Sequence, residues 1–145
     1  MATYIDTEAI ARGAFAEIQK AFPSLKMIEN QGEPVEISIT MPVQPGLSHE
    51  VWLYLQNRDE LHFSSGHFWC EWFPCTDADR VEKYLDAVIG FLSGKYRIIE
   101  FYRGERYHRA KLQEPESNSW RTVATWSTIW IPLSFKKTVK ELRNQ

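Results

Sequence analysis

Four side chains that can bind a metal ion or take part in nucleophilic catalysis lie close together in the sequence: His62, His67, Cys70 and Cys75. Imidazole and thiolate groups are usual ligands of zinc, and four of them can form a closed tetrahedral site. The spacing, however, lacks the tight cysteine pair and the distant second pair that are typical of zinc-binding motifs. The pattern therefore favours buried thiols and surface histidines, and it predicts neither a metal site nor a cofactor.

The same residues could also support catalysis by a cysteine nucleophile. Cys75 directly precedes a predicted helix start, where the helix dipole would lower the pKa of a thiol. His62 or His67 could then act as the base, and Glu71 is the carboxylate with the best local context for acid–base chemistry. The chain contains no Gly-rich phosphate loop and no G-x-S-x-G or H-E-x-x-H motif. We therefore predict no catalytic residue, and we interpret Cys75 as a small apolar residue at the helix entry.

An aromatic run after His67 is the second feature with functional potential. It places Phe68, Trp69, Trp72 and Phe73 within a few consecutive positions. Side chains alternate between the two faces of a strand, so these rings cannot all be hidden on one side. Either both faces are covered, as in a core or a pocket, or some of the rings are exposed to a partner.

The composition is that of a globular protein with a surplus of aromatic residues. Aromatic side chains make up 14% of the 145 residues, including 6 Trp, and such rings supply much of the contact area in binding sites. A formal net charge of -2 argues against general nucleic-acid binding, which usually needs a basic surface. One basic cluster is diluted by Glu100 and Glu105, and we interpret it as a polar outer sheet face: Arg97, Arg103, Arg106, Arg109 and Lys111.

The N-terminal sequence and the cysteines indicate a compartment. Residues Met1–Asp6 contain neither a basic segment nor an apolar stretch, so no signal peptide is predicted. No apolar run approaches the length that spans a bilayer, and we expect no membrane association. The chain is therefore predicted to be cytoplasmic, with Cys70 and Cys75 as reduced thiols.

The elements that would position these residues begin with a helix. Asp6 or Thr7 caps it, its apolar residues recur at helical spacing, and Pro23 ends it. Strands with alternating apolar residues are predicted over 35–41 and about 49–56. Both strands therefore have one face that must be covered.

A hairpin with a three-residue loop at 57–59 is expected next. This loop pairs Leu55 with Leu61 and Leu53 with Phe63, which keeps the apolar residues on one face. The opposite face of the hairpin then carries a mixed aromatic and polar set: Trp52, Tyr54, His62 and Ser64.

The second half of the chain is predicted to begin and end with a helix. Thr76 or Asp77 caps the first of these, and Gly94 ends it. A strand rich in Thr, Val, Trp and Ile covers 120–131, and Ser134 caps a short final helix that contains Phe135, Val139 and Leu142.

Between these elements we predict a hairpin of strands 96–103 and 106–112. A two-residue turn sets the register, and this register places Glu100 opposite Arg109 as a favourable cross-strand pair. The polar face of the hairpin would then carry two tyrosines among charged residues: Ile98, Glu100, Tyr102, Tyr107, Arg109 and Lys111.

The predicted order is α-βββ-α-βββ-α, an α+β fold in a single domain over residues 1–145. The turns are short, so the sheet should be mainly antiparallel, with the helices on one face. The other face would be open and aromatic, with Trp52, Tyr54, Tyr102 and Tyr107, and it could also carry Trp residues from the last strand. This order is similar in layout to type III secretion chaperones and to many toxin-immunity proteins, which implies binding of another protein.

Our leading hypothesis is a small cytoplasmic, non-catalytic module that binds another protein, such as a toxin or effector that it neutralises or escorts. Aromatic residues and Arg dominate the energetics of protein interfaces. The predicted anchors are Trp69, Trp72 and Phe73, and the predicted second patch consists of Trp52, Tyr102, Tyr107 and Arg109. Nucleic acid and membranes are not expected as partners.

Two alternatives stay open. The first is a small-molecule-binding protein or enzyme with an aromatic pocket, in which the polar chemistry comes from His62, His67, Glu71 or Cys75. A deep cavity that touches these side chains would favour it, whereas a flat aromatic patch would favour the protein-binding module. The second alternative is a homodimer joined through the open sheet face.

Overall fold

The computed structural model describes residues 5–128 and 136–145. Within those residues the chain forms two α-helices and nine β-strands, and the predicted α+β class with antiparallel sheets is confirmed. The elements in chain order are α1 (Thr7–Ala21), β1 (Ile28–Asn30), β2 (Ile37–Met41), β3 (Val51–Gln56), β4 (Glu60–Ser65), β5 (Phe68–Trp72), α2 (Ala78–Leu92), β6 (Arg97–Arg103), β7 (Arg106–Glu116), β8 (Ser119–Ser127) and β9 (Lys137–Leu142).

Both helices begin where the sequence predicts, because an aspartate caps each of them. The Asp6 carboxylate accepts a hydrogen bond of 3.0 Å from the main-chain N–H of Ala9. The Asp77 carboxylate accepts one of 3.0 Å from the N–H of Asp79. α2 packs against β4 and β5, and α1 packs against α2, so the helices cover one face of the sheet to which β4 and β5 belong.

The strands divide into two sheets rather than the single sheet that we predicted. The first sheet has the order β1-β2-β3-β4-β5 and the second has the order β8-β7-β6-β9. β1 lies in the segment predicted as a loop, and β5 is the aromatic run itself. Neither strand is recognisable locally, because β1 is short and β5 lacks clean alternation of apolar and polar residues.

The register of the first sheet agrees with the prediction. Leu53 lies opposite Phe63 and Leu55 opposite Leu61, and all of these side chains are buried. The opposite face, called here the outer face of the first sheet, carries Trp52, Tyr54, Gln56, His62, Ser64 and Trp69. The prediction that the two faces differ in chemistry is therefore confirmed.

The predicted final helix is wrong within the described residues, since this part of the chain forms β9. Strand β9 pairs antiparallel with β6, and Leu142 enters the core while Val139 stays 65% exposed. Three apolar residues, Phe135, Val139 and Leu142, are too few to define a helical period, and pairing with a distant strand decides the outcome. Ser134 and Phe135 lie outside the described residues, as do positions 129–131 of the predicted strand over 120–131.

The predicted register of the β6–β7 hairpin is also wrong beyond its turn. Tyr102 lies opposite Tyr107 as expected, but a β-bulge then shifts the pairing so that Arg109 faces Phe101. Glu100 lies opposite Ala110 and is buried. Because a shift of one residue exchanges the two faces of a strand, the bulge separates Arg109 from the tyrosines.

A single cluster of buried residues includes side chains from both helices and both sheets, among them Phe15, Phe63, Tyr84 and Leu112. The prediction of one domain over residues 1–145 also involves positions outside those described, and it stays a prediction. Neither helix within residues 5–128 and 136–145 has both the length and the apolar character needed to cross a membrane.

Candidate functional site: an aromatic cleft

A cleft of about 500 Å³ lies between the outer face of the first sheet and the strands β7 and β8 of the second. It is called the aromatic cleft below. Its lining residues are Tyr54, Gln56, His62, Ser64, Gly66, His67, Phe68, Trp69, Tyr107 and Trp126. The site therefore draws on five strands and on the turn between β4 and β5.

Strand alternation places the floor of the cleft. Tyr54 lies opposite His62, and Ser64 lies opposite Trp69, so these four side chains project from the same face. The helices cover the other face of this sheet, which leaves the floor open to the second sheet. Local sequence periodicity therefore determines which side chains form the floor.

Stacked rings form the walls. The imidazole of His67 lies on the Tyr107 ring with centroids 3.7 Å apart and planes 12° apart, and Tyr107 is 5.5 Å from Trp126. Across the floor, His62 and Trp69 are stacked at 5.5 Å with an interplanar angle of 19°. Such pairs hold one another in place, so the cleft presents flat ring surfaces that are already arranged before a ligand arrives.

Buried Glu100 holds the turn that carries His67. Its carboxylate accepts a hydrogen bond of 2.6 Å from the main-chain N–H of His67 and one of 2.9 Å from the Tyr102 hydroxyl. Burial and the contact with Glu100 raise the pKa of Tyr102 to about 12, so this hydroxyl remains a donor at neutral pH. The bulge inserts His108 into β7, so that Ala110 rather than Arg109 lies opposite Glu100.

The turn itself requires glycine at position 66. Gly66 has a φ of 59°, in the region that favours glycine. A Cβ at this position would lie 2.7 Å from an oxygen of Glu100 and 2.6 Å from a methyl of Leu142. The two sheets thus meet at this turn without room for a side chain.

Several polar groups in the cleft have no hydrogen-bond partner among the described residues. Within residues 5–128 and 136–145, the side chains of Tyr54, Gln56, Ser64 and Tyr107 make no hydrogen bond. Burial, followed by the nearby charges of Glu33 and Glu50, raises the pKa of Tyr54, so its hydroxyl stays protonated. These groups are available to a ligand.

The histidines of the cleft have different surroundings. The Nε2 atom of His62 lies 3.2 Å from a carboxylate oxygen of Glu60, and its ring is nearly buried. His67 is more exposed and is held by its contact with Tyr107. No Lys, Arg, Asp or Glu is among the described residues that line the cleft.

The predicted metal-ligating and nucleophilic residues do not converge. His62 projects from the outer face of the first sheet, whereas Cys70 projects toward the core. No group of three or more His, Cys, Asp or Glu within the described part of the chain could hold a metal ion. Burial raises the pKa of the Cys70 thiol to about 11 and also raises that of Cys75, which opposes thiolate formation.

The three predicted anchors occupy different environments. Trp69 is 43% exposed and lines the cleft, and Phe73 is 51% exposed but does not line it. Trp72 is only 8% exposed and packs edge-on against Tyr84 in the core, so it cannot act as a displayed anchor. The aromatic run is therefore partly core and partly cleft.

The predicted second patch is divided as well. Tyr107 lines the cleft, and Tyr102 lies close to it through its contacts with Glu100 and His67. Arg109 lies on the opposite face of the second sheet because of the bulge. Trp52 projects from the outer face of the first sheet but is not part of the cleft, and neither is Glu71.

The sequence-based prediction placed tryptophans of the last strand on the open face without selecting Trp126, and it gave Gly66 and Glu100 no role in the site. The glycine in the short Ser-Gly link before the aromatic run was the available signal for a tight turn. No local signal places Trp126 or Glu100, since both positions depend on how the second sheet folds against the first.

Comparison of the chain with family models, with curated proteins and with solved structures found no match. Function is therefore inferred from the chemistry of this chain. The aromatic cleft is the candidate site, because stacked rings converge there with hydrogen-bonding groups that have no partner in the described part of the chain.

Proposed function

We propose that the protein binds a compact, uncharged, planar aromatic molecule in the aromatic cleft. One observation supports this most directly: ring faces converge on a cleft of about 500 Å³ with hydrogen-bonding side chains that have no partner within residues 5–128 and 136–145. Ligand sites are typically concave and mostly apolar, with a few polar groups that set orientation. This function corresponds to the first alternative from the sequence, with His62 and His67 in the site but without Glu71 or Cys75.

The proposed ligand is neutral because no charged side chain is among the described residues that line the cleft. A buried charge without a partner is strongly unfavourable, and no Lys, Arg, Asp or Glu lines the described part of the cleft. Stacking of a planar ring against Trp69 or Trp126 would contribute about 0.5–1.5 kcal/mol per ring pair beyond the burial of area. Tyr54, Gln56 and Ser64 would then select ligands by hydrogen bonding.

The proposal is for binding without catalysis. Both thiols lie outside the cleft with raised pKa values, and His62 is already in contact with Glu60. A cytoplasmic location, with both cysteines as free thiols, is part of the proposal.

Nuclear magnetic resonance with indole and quinoline as probes tests the proposal. The side-chain N–H signals of Trp69 and Trp126 should shift on titration, whereas that of Trp120 on the far side of the second sheet should not. A Ser64→Trp variant fills the cleft and should abolish the shifts. Phe73→Ala is the matched control, because it removes an exposed ring outside the cleft.

Two results would contradict the small-molecule proposal. One is a set of shifts spread over Trp120 as well as the cleft tryptophans, which would indicate nonspecific binding to exposed rings. The other is unchanged binding by a folded Ser64→Trp variant, since the cleft could not then be the site.

A protein partner is the second candidate, and the exposed ring of Trp69 at the edge of the cleft favours it. In this proposal a toxin-like or effector-like protein inserts an aromatic side chain into the cleft and is neutralised or escorted. Trp69→Ala should then cost about 2 kcal/mol or more of binding energy, while Phe73→Ala should cost less. If indole displaces the partner protein, the partner binds at the aromatic cleft.

A homodimer through the same surface is the remaining alternative. Sedimentation at micromolar protein concentration tests it directly, and a monomer there would count against it. A dimer that dissociates on Trp69→Ala would support it instead.

A further inference from the structure

Strand β9 is an edge of the second sheet with an unusual concentration of positive charge. It lies at one end of the order β8-β7-β6-β9, and β6 is its only partner within the described residues. Lys137 lies directly opposite Arg103, and Val139 lies opposite Phe101, whose other neighbour is Arg109. These side chains share the face of the second sheet that points away from the core.

The main chain of β9 also offers hydrogen-bonding groups on its free side. The carbonyl of Lys136 accepts a hydrogen bond of 2.8 Å from the N–H of Gly104 in the β6–β7 turn. In an antiparallel pair, residues alternate between those bonded to the partner strand and those directed away from it. The N–H and C=O groups of Lys137, Val139 and Glu141 are therefore directed away from β6.

Glu100 lies opposite Lys140 in the register, but the positive side chains of this edge strand form no ion pair within 4 Å among the described residues. Within residues 5–128 and 136–145, no carboxylate forms an ion pair with Arg103, Lys137 or Lys140. Glu141 pairs with Arg97 at 2.9 Å, at the far end of the strand. This positive region stands out because the whole chain has a net charge of -2.

We propose that β9 binds an extended acidic segment of another protein, which adds as a further strand to the second sheet. In an antiparallel arrangement, an apolar residue of the segment would lie beside Val139. The residue before it would lie beside Lys140, and the residue two positions after it would lie beside Lys137. Carboxylates at those two positions complement the lysines on opposite faces of the strand.

A peptide fits this surface better than a nucleic acid does. The ring of Trp120 on the same face lies under the guanidinium groups of Arg97 and Arg143, at 4.2 Å and 5.2 Å, so it is covered against base stacking. The alternating N–H and C=O groups of a strand edge are matched by a peptide main chain. Lys137, Val139 and Arg103 lie on the opposite side of the sheet from Tyr107 and Trp126, whereas Lys140 lies opposite Glu100 on the side of the aromatic cleft.

Fluorescence anisotropy with a labelled peptide tests the proposal. The probe is acetyl-Thr-Glu-Val-Thr-Glu-Thr-amide, which carries the required spacing, and the control peptide has Lys in place of both Glu. We expect saturable binding of the acidic peptide only, weakened by salt because the charges are exposed. Lys137→Glu and Lys140→Glu should each weaken binding by about fivefold or more, since repulsion replaces attraction.

A proline substitution separates strand addition from charge attraction. Val139→Pro removes an N–H that is directed away from β6, so the strand should keep its pairing while it loses a bond to the added peptide. Binding of the acidic peptide should fall at least about tenfold, which corresponds to about 1.4 kcal/mol. Lys26→Glu, at an exposed lysine outside the second sheet, is the matched charge control.

Three outcomes would overturn the proposal. The first is absence of binding by the acidic peptide at millimolar concentration. The second is binding of labelled oligodeoxythymidylate without binding of the peptide, which would assign the surface to nucleic acid. The third is equal loss of binding for Lys26→Glu and Lys137→Glu. If Val139→Pro fails to fold, the comparison of Lys137→Glu with Lys26→Glu decides the question.

Discussion

Replacement of Asn144 by alanine should destabilise the protein far more than its position next to the C-terminus suggests. The Asn144 side chain is buried and connects two distant parts of the chain. Its amide donates hydrogen bonds to the main-chain carbonyls of Gly46, at 2.9 Å, and Leu92. Its carbonyl accepts one of 2.8 Å from the N–H of Ser48.

The magnitude follows from these three main-chain partners. Each hydrogen bond contributes about 1 kcal/mol net, so their loss should cost about 3 kcal/mol. The carbonyl of buried Leu92 would also be left without a donor, which adds about 1 kcal/mol if water does not reach it. For a chain of this size, about 3–4 kcal/mol corresponds to a Tm lower by roughly 10 °C.

Urea denaturation followed by tryptophan fluorescence measures the free energy of unfolding. Asn144→Asp tests whether the amide acts as a donor. It keeps the acceptor for Ser48, but it directs a carboxylate oxygen at the carbonyls of Gly46 and Leu92, which repel it. We expect it to be less stable than Asn144→Ala. Gln145→Ala is the matched control, since Gln145 is exposed and its replacement should change the free energy of unfolding by no more than about 0.5 kcal/mol.

The reasoning would be refuted by either of two results. If the free energy of unfolding of Asn144→Ala lies within about 0.5 kcal/mol of that of the original protein, the hydrogen bonds of this side chain do not hold this end of the chain in place. If Asn144→Asp is as stable as the original protein, the amide does not donate to the carbonyls of Gly46 and Leu92.

Two further predictions concern the core. Gly90→Ala improves helix propensity by about 1 kcal/mol but places a methyl against the ring of Tyr96, whose hydroxyl is held at 2.8 Å by Asp86. Overpacking should outweigh the gain in propensity and lower the free energy of unfolding by about 1–3 kcal/mol, as measured by urea denaturation. A more stable variant would contradict this expectation. Burial raises the pKa of Cys70 to about 11 and raises that of Cys75, so both native thiols should react slowly with a disulfide reagent at neutral pH and faster as pH rises. The stabilisation linked to these raised pKa values is complete below the ordinary thiol pKa of 9.0 and is lost as pH rises toward 11. The urea midpoint should therefore fall over that range. Rapid reaction of the thiols in the native protein at neutral pH would contradict the raised pKa values.

Local signals in the sequence account for the helix starts and for the first hairpin. Asp6 and Asp77 cap helices because a short carboxylate reaches N–H groups only a few residues ahead. The β3–β4 register follows from alternation and loop length, since any slip would bury polar side chains. Interactions between near neighbours are sufficient for both features, and the pattern of residues reveals them.

The tertiary structure decided the division into two sheets, the strand at 137–142 and the inward position of Glu100. Each depends on pairing with residues far along the chain, and a bulge of one residue reverses the faces of a strand without a clear local signal. The same long-range contacts divide the aromatic run, so that Trp72 joins the core while Trp69 enters the cleft. The residues with binding chemistry are recognisable from their types, whereas the packing of one sheet against the other brings a subset of them into a shared site.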